Sequence, residues 1–392
     1  MNSIYIHIPF CKKKCNYCDF VSYAGKEDLI DEYVGALVKE AAALTQTIEN
    51  EKLFPYNPLP EGEGLDIKTI YFGGGTPTLL QPKHFDKIIS TLIGHWSLVI
   101  GHSEISVEAN PGTADKAKLK ELRKLGINRL SIGAQSFNGR HLRTLGRIHT
   151  AEESLKFYDD ARAAGFENIN LDLIFALPCQ TLEEWKNDLK TAINLRPNHL
   201  STYNLQIEEG TPLHSQQTAN GLQLPAEEQE LAMYEHTIET LTSAGYKHYE
   251  ISNFAQPGLE CLHNINYWKN GNYLGLGAGA HSHLNGRRWA NPAVIDDYLN
   301  SVRGSKPVSI PEARYSDRQR MTIDDTGIGP DRRETIFMGL RLLNGLPVEK
   351  FTGFEKEVAE LVGDGLLERK NNHYKLTRRG LYLGNLVFEK FI

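Results

Sequence analysis

No apolar run in this chain approaches the ~18 residues that a membrane-spanning helix needs. Basic charge is not in excess either. The 43 Lys and Arg face 49 Asp and Glu, a formal net charge of −6. Bulk electrostatics therefore give no hold on a polyanion, and nucleic acid is not an expected partner. The opening MNSIYIHIPFC has neither the basic segment nor the long apolar core of a secretory signal. Cysteines number only five, an odd count, and three of them crowd into eight residues. A disulfide framework is not spaced this way, so a reducing cytoplasm is the expected setting. What remains is ordinary globular composition, 40% hydrophobic and 23% charged. The 392 residues allow one large domain with an appendage, or two domains.

Through the first two hundred residues, short β-rich runs alternate with longer amphipathic ones. Six strands are expected, in SIYIHIPF, IKTIYFGGGTP, SEISVEANP, INRLSIGAQSF, ENINLDLIFALP and HLSTYNLQIEEGTP, with helical patterns between them. This repetition means parallel strands joined by helical crossovers. Cys11, Gly73 to Gly75, Glu108, Gln135 and Asp172 all fall at or just past strand C-terminal ends. Only a barrel brings five successive strand ends to one rim; an open sheet converges at its switch point. The fold class is therefore α/β with a barrel. Residues 1–225 are expected to form its core, and 226–304 an extension. Within that extension KHYEISNFA reads as one strand, and NGNYLGLGAGAHSH as a glycine-rich stretch. The insertion around Gly62 and Gly64 reads as a surface loop. Residues 305–392 comprise an irregular connection and a module of helices with a hairpin at Asn371-Asn372, an order that resembles a winged helix.

Cys11, Cys15 and Cys18 have the spacing C-x3-C-x2-C. Structural zinc usually takes four ligands in C-x2-C pairs or with histidines, and Cys179 and Cys261 are far away in sequence. Three thiolates could hold three irons of a cubane, leaving one iron for a small chelating molecule. The competing reading is three buried structural cysteines. Lys12, Lys13 and Lys14 argue against it, because they make the loop wet and cationic.

This loop, with Tyr17 just before its third cysteine, resembles the radical S-adenosylmethionine (SAM) superfamily. That resemblance implies a partial (β/α)6 barrel and a [4Fe–4S] cluster on Cys11, Cys15 and Cys18. It implies SAM on the open iron, cleaved after one-electron transfer to a 5′-deoxyadenosyl radical, and an electron donor for the cluster. SAM contacts are implied at Tyr5, Tyr17, Gly74, Gly75, Thr76, Glu108, Gln135, Arg147 and Asp172. The chemistry suits these types. Glycine lets a backbone approach a ligand, a carboxylate accepts two ribose hydroxyls, and an arginine fork matches a carboxylate.

YIHIPFC, GGGTPT, GAQSF and DLIFALP together resemble one branch, the oxygen-independent coproporphyrinogen III oxidases and the related heme chaperones. The oxidases carry a fourth cysteine two places after the third and an N-terminal extension. Here that position is Phe20, and Tyr5 is almost at the start. CLHNINYW, Cys261 to Trp268, matches the HNxxYW motif of the chaperones. Heme contacts are implied at His263, Tyr267 and Trp268, with Cys261 and His281 as alternative iron ligands. The expectation is a heme chaperone delivering to respiratory membrane hemoproteins, cytoplasmic or peripheral to the membrane, and able to homodimerise. The alternative is a true oxidase that turns porphyrinogen propionates into vinyl groups.

Overall fold

The computed structural model describes residues 2–51, 67–96, 103–303 and 330–392. The insertion with Gly62 and Gly64, and most of the irregular connection from 305, lie outside these described residues. Six strands, β1 (Asn2–Ile8), β2 (Ile67–Gly74), β3 (Glu104–Ala109), β4 (Arg129–Gln135), β5 (Asn168–Phe175) and β6 (His199–Asn204), are parallel and lie side by side in chain order. A doubly wound sheet reverses its order at a switch point; this one does not, so every crossover runs the same way round and the sheet curls into a barrel.

Closure is partial. Tyr273–Leu276 adds to β1 in parallel and is followed by the antiparallel strands His281–Leu284 and Arg287–Ala290. On the other side, Asn253–Ala255 and Lys247–Glu250 extend β6 in antiparallel. The outer strands of this eleven-stranded sheet do not pair with each other among the described residues. KHYEISNFA is thus two strands rather than one. The reversal is held by Glu250, whose Oε1 accepts from the Ser252 amide at 2.7 Å and from Asn253 Nδ2 at 2.5 Å.

Strand alternation sorts the side chains. Ile4, Ile6 and Ile8 join the main apolar core with Tyr33, Val34 and Leu37 of the helix Ile30–Glu51. Their neighbours Ser3, Tyr5 and His7 face the barrel lumen. The same period of two sends Ile70 and Phe72 outward and Thr69 and Tyr71 inward. Each fully buried Ile or Phe contributes roughly 1.5–3 kcal/mol, so the outward face holds the barrel and leaves the lumen to polar groups. Crossover helices Ala151–Ala163 and Leu182–Leu195 start at capping boxes, Thr150 with Glu153 and Thr181 with Glu184.

The C-terminal module has its own core around Phe351, Phe354, Leu361 and Phe391. Its hairpin turns at Asn371-Asn372, both in the left-handed region with φ 49° and 60°, as a two-residue turn matched to strand twist requires. The module packs against the edge strand Lys247–Glu250, where the Leu343 amide donates to the Tyr249 carbonyl at 3.1 Å, and against the helix Leu262–Trp268. The Arg341 guanidinium lies 4.3 Å from the centre of the Trp268 ring, and Arg288 pairs with Glu334 at 2.8 Å.

Candidate functional site

The cysteine loop sits on the barrel rim because two neighbours fasten it. Asn16 bonds to segments outside its own loop. Its amide donates to the Leu145 carbonyl at 2.9 Å, and its side chain donates to the Thr144 carbonyl at 2.9 Å. On the other side, β2 ends in glycines that run against β1 and the loop. The Gly75 and Thr76 amides donate to the Ile8 and Phe10 carbonyls at 2.9 and 2.8 Å. A Cβ on Gly75 would stand 2.7 Å from the Phe10 carbonyl oxygen and 3.0 Å from Cys11 Sγ. Gly74, at φ +112°, leaves room for the His7 ring, which a Cβ would meet at 2.5 Å. His7 Nε2 in turn donates to the Val21 carbonyl at 2.7 Å, tying the loop's far end to β1.

All three cysteines are free. Burial pushes the Cys11 and Cys18 thiols above the usual range. Thr76 Oγ1 lies 3.6 Å from Cys11 Sγ, and Arg147 Nη1 lies 3.5 Å from Cys15 Sγ. Among the described residues, no three His, Cys, Asp or Glu side chains are gathered as a single metal ion requires.

Below the loop opens a cavity of about 450 Å³. Tyr17, Gly74, Gly75, Thr76, Glu108, Gln135, Arg147 and Asp172 line it with the three cysteines. Glu108 Oε1 accepts from the Tyr71 hydroxyl at 2.9 Å, and Oε2 from the Gly74 amide at 3.1 Å. Burial, and then the Asp172 charge, push the Glu108 carboxyl up to about 7. Burial also raises Asp172, which Ser131 Oγ and Asn170 Nδ2 steady at 2.9 and 2.8 Å. Gln135 reaches the lumen from a strand irregularity, in the left-handed region at φ 64°. Arg147 Nη2 donates to the Gly133 carbonyl at 2.7 Å and to Asn110 Oδ1 at 2.5 Å, which aims its fork along the rim.

Two members of the expected set stand elsewhere. Tyr5 does not line the cavity. Its hydroxyl donates to His7 Nδ1 at 2.9 Å, and its ring stacks near Tyr71, beneath the Gly73 backbone. The HNxxYW segment is the helix Leu262–Trp268 on the barrel floor, capped by Glu104, which accepts from the Leu262 and His263 amides at 3.2 Å each. Its His263 is buried, with Nδ1 2.7 Å from Thr69 Oγ1 and Nε2 2.9 Å from the Tyr267 hydroxyl. Burial, and then Arg129, push this imidazole down to about 3, so it is neutral. Trp268 lies under the C-terminal module. Cys261 is buried, and His281 is exposed on an outer strand.

Residue reading missed Asn110, whose Nδ2 donates to Thr76 Oγ1 at 2.8 Å, and Tyr71. Tyr71 had a signal. It lies on the same strand face as Gly73, two residues away.

A partial parallel barrel with three thiols, a glycine strand end and lumen carboxylates on one rim defines the class, a radical SAM protein. The family model for the radical SAM superfamily matches residues 5–192, and that for the HemN C-terminal domain matches residues 331–383. The chain is 36% identical to the heme chaperone HemW of Lactococcus lactis, covering 100% of this chain and 97% of that one. It is 35% identical to HemW of Bacillus subtilis (100% and 99%) and 34% identical to HemW of Escherichia coli (100% and 98%). Among solved structures, coproporphyrinogen III oxidase (HemN) from Escherichia coli superposes with a TM-score of 0.77 at 24% identity, over 100% of this chain and 89% of that one, a likeness of fold. The chain belongs to the HemW family of the radical SAM superfamily.

With that membership come a [4Fe–4S] cluster and SAM. The residues present fit both. Three free thiols share one loop, a half-buried guanidinium beside Cys15 offsets thiolate charge, and Gly75 leaves no side chain between β2 and Cys11. No described helix is long and apolar enough to cross a membrane.

Proposed function

We propose that this chain is a heme-binding chaperone that retains the radical SAM apparatus and passes heme to respiratory membrane hemoproteins. Full-length similarity to three heme chaperones carries the reading. Phe20, 63% exposed at the cavity's edge, supports it, because no thiol occupies the position where the oxidases have their further cysteine.

Cys11, Cys15 and Cys18 hold the cluster, and bound there it supplies one electron toward SAM. The remaining work belongs to side chains. Glu108 and the Gly74 to Thr76 edge receive the ammonium end of SAM. Arg147, whose Nη2 is taken up by Gly133 and Asn110, turns its remaining Nη1 hydrogen to the SAM carboxylate, Asp172 accepts ribose hydroxyls, and Gln135 and Tyr17 wall the cavity. Tyr5 acts from beneath, through His7 and Tyr71. His263, Tyr267 and Trp268 take part in holding heme. The bond that Thr69 gives Ser3 at 2.8 Å leaves its oxygen to accept from Nδ1–H of His263, so Nε2 accepts the Tyr267 hydroxyl. Iron can use Nε2 only when that hydroxyl withdraws. The protein works in the cytoplasm, docks at the membrane through its clients, takes electrons from a donor protein, and dimerises through the C-terminal module.

The test uses protein reconstituted without oxygen. Heme titration should develop a Soret band with a saturable end point. Coproporphyrinogen III with SAM and a reductant should yield no vinyl product; turnover to protoporphyrinogen would establish the oxidase instead.

A further inference from the structure

The barrel floor is joined to the rim by one unbroken line of contacts. The His263 ring lies 5.0 Å from the Tyr71 ring, nearly parallel at 29°, and is pinned on both sides by Thr69 and Tyr267. Tyr71 spans the lumen upward, and its hydroxyl donates to Glu108 Oε1 at 2.9 Å. Below, Tyr267 packs edge-on against Tyr273 at 4.7 Å, and Trp268 carries Arg341 of the C-terminal module on its face. Arg341 also reaches Glu250 Oε2, at 3.5 Å. Nothing in a heme-ligand role calls for a histidine stacked under the tyrosine that orients a rim carboxylate.

We propose that His263 is a positioning residue for SAM: it sets the height and tilt of Tyr71, and through Tyr71 the carboxylate of Glu108. This rests on the reading that Glu108 receives SAM. The ring does this work only as a fixed neutral imidazole. Free to turn about its bonds, it would no longer support one face of Tyr71, and the Tyr71 hydroxyl would lose its aim at Oε1. SAM's ammonium needs Glu108 ionised, and the Tyr71 bond favours the ionised form. The other groups facing Glu108 are the Gly74 amide, Asp172 from β5, Arg129 from β4, and the hydroxyls of Tyr5 from β1, Tyr203 from β6 and Tyr267. Among the described residues only Tyr267 of these hydrogen-bonds His263, so the others stay in place when the histidine is replaced.

The experiment measures SAM binding by equilibrium dialysis between pH 6 and 9, on anaerobically reconstituted protein without heme. His263→Phe keeps a ring and removes both bonds. It should weaken SAM about three- to tenfold, as the loss of one well-aimed hydrogen bond does. Iron and sulfide per chain should be unchanged, and the midpoint of the pH profile should move upward. Tyr71→Phe should move it the same way, and the double variant should be no worse than the poorer single one. His263→Gln, able to bond Thr69 or Tyr267 but with no ring beneath Tyr71, should weaken SAM at least as much. Where His263→Phe does not fold, Tyr267→Phe removes only the Nε2 partner and should weaken SAM about two- to fivefold. An affinity and midpoint equal to wild type in these variants overturns the proposal. Unchanged SAM affinity in Glu108→Gln sinks the underlying site reading instead. Since heme is absent throughout, neither result depends on the chaperone reading.

Discussion

Replacing Gly75 by alanine tests whether the cysteine loop and β2 are in contact with no slack. Gly75 does not need a positive φ, so alanine adds volume there without backbone strain. Its Cβ would stand 2.7 Å from one backbone carbonyl oxygen, 3.0 Å from another and 3.0 Å from Cys11 Sγ. Carbonyls in a paired strand cannot swing aside as a side-chain tip can. Overpacking of this kind costs about 1–3 kcal/mol. Stiffening the unfolded chain returns about 0.4–1 kcal/mol. The net loss is then anywhere up to about 2.6 kcal/mol, taken up by pushing the Cys11 loop outward. Denaturant unfolding of the apo-protein reads the stability, and iron and sulfide per chain after anaerobic reconstitution read the loop. Gly25→Ala is the control, at φ +72° with nothing within 4 Å, and costs about 1–2 kcal/mol of strain alone. Both variants should lose similar stability, but only Gly75→Ala should lose cluster. Full iron content in Gly75→Ala would refute the close-contact argument.

Four further outcomes follow from the same geometry. SAM affinity should fall as pH drops through about 7, because Glu108, raised by burial and by Asp172, then takes a proton and no longer pairs with the ammonium; dialysis across pH 6–8 reads this, and a flat profile contradicts it. Cys18→Ala should abolish a stable cluster, seen as loss of the visible iron–sulfur absorption. Arg147→Lys should weaken SAM about tenfold, since one ammonium cannot serve Gly133, Asn110 and Cys15 together; unchanged binding would place the SAM carboxylate elsewhere. Trp185→Ala should cost about 3–5 kcal/mol in denaturant unfolding, because the buried indole also donates to Thr237 Oγ1 at 2.8 Å.

Much of the rim was legible before any coordinates. A strand's last residues point to one end of the barrel whatever lies between strands, so Cys11, Gly75, Glu108, Gln135 and Asp172 could be placed together from their positions in five of the six short runs. The hairpin at Asn371-Asn372 was equally local. KHYEISNFA was not, since its reversal depends on Glu250 bonding to Ser252 and Asn253 across a turn without glycine or proline. The short helices Gly139–Thr144 and Pro212–Asn220 carry too little apolar periodicity to be read.

Local chemistry therefore determined the cluster loop, the alternation of strand and helix, and the rim on which cofactor residues meet. Period and spacing act over a few residues, and the sequence displays them directly. The destination of the HNxxYW helix was decided only by tertiary structure. Its seven residues are compatible with any apolar niche, and Glu104, Thr69 and Arg341, from three distant segments, select the barrel floor. Tyr5 shows the same division. Its place on β1 is a matter of period, but its distance from the cavity depends on Tyr71 and His7 standing between them. Asn110 and the floor beneath Glu108 belong to that second kind of information, which exists only once strands far apart in the chain lie side by side.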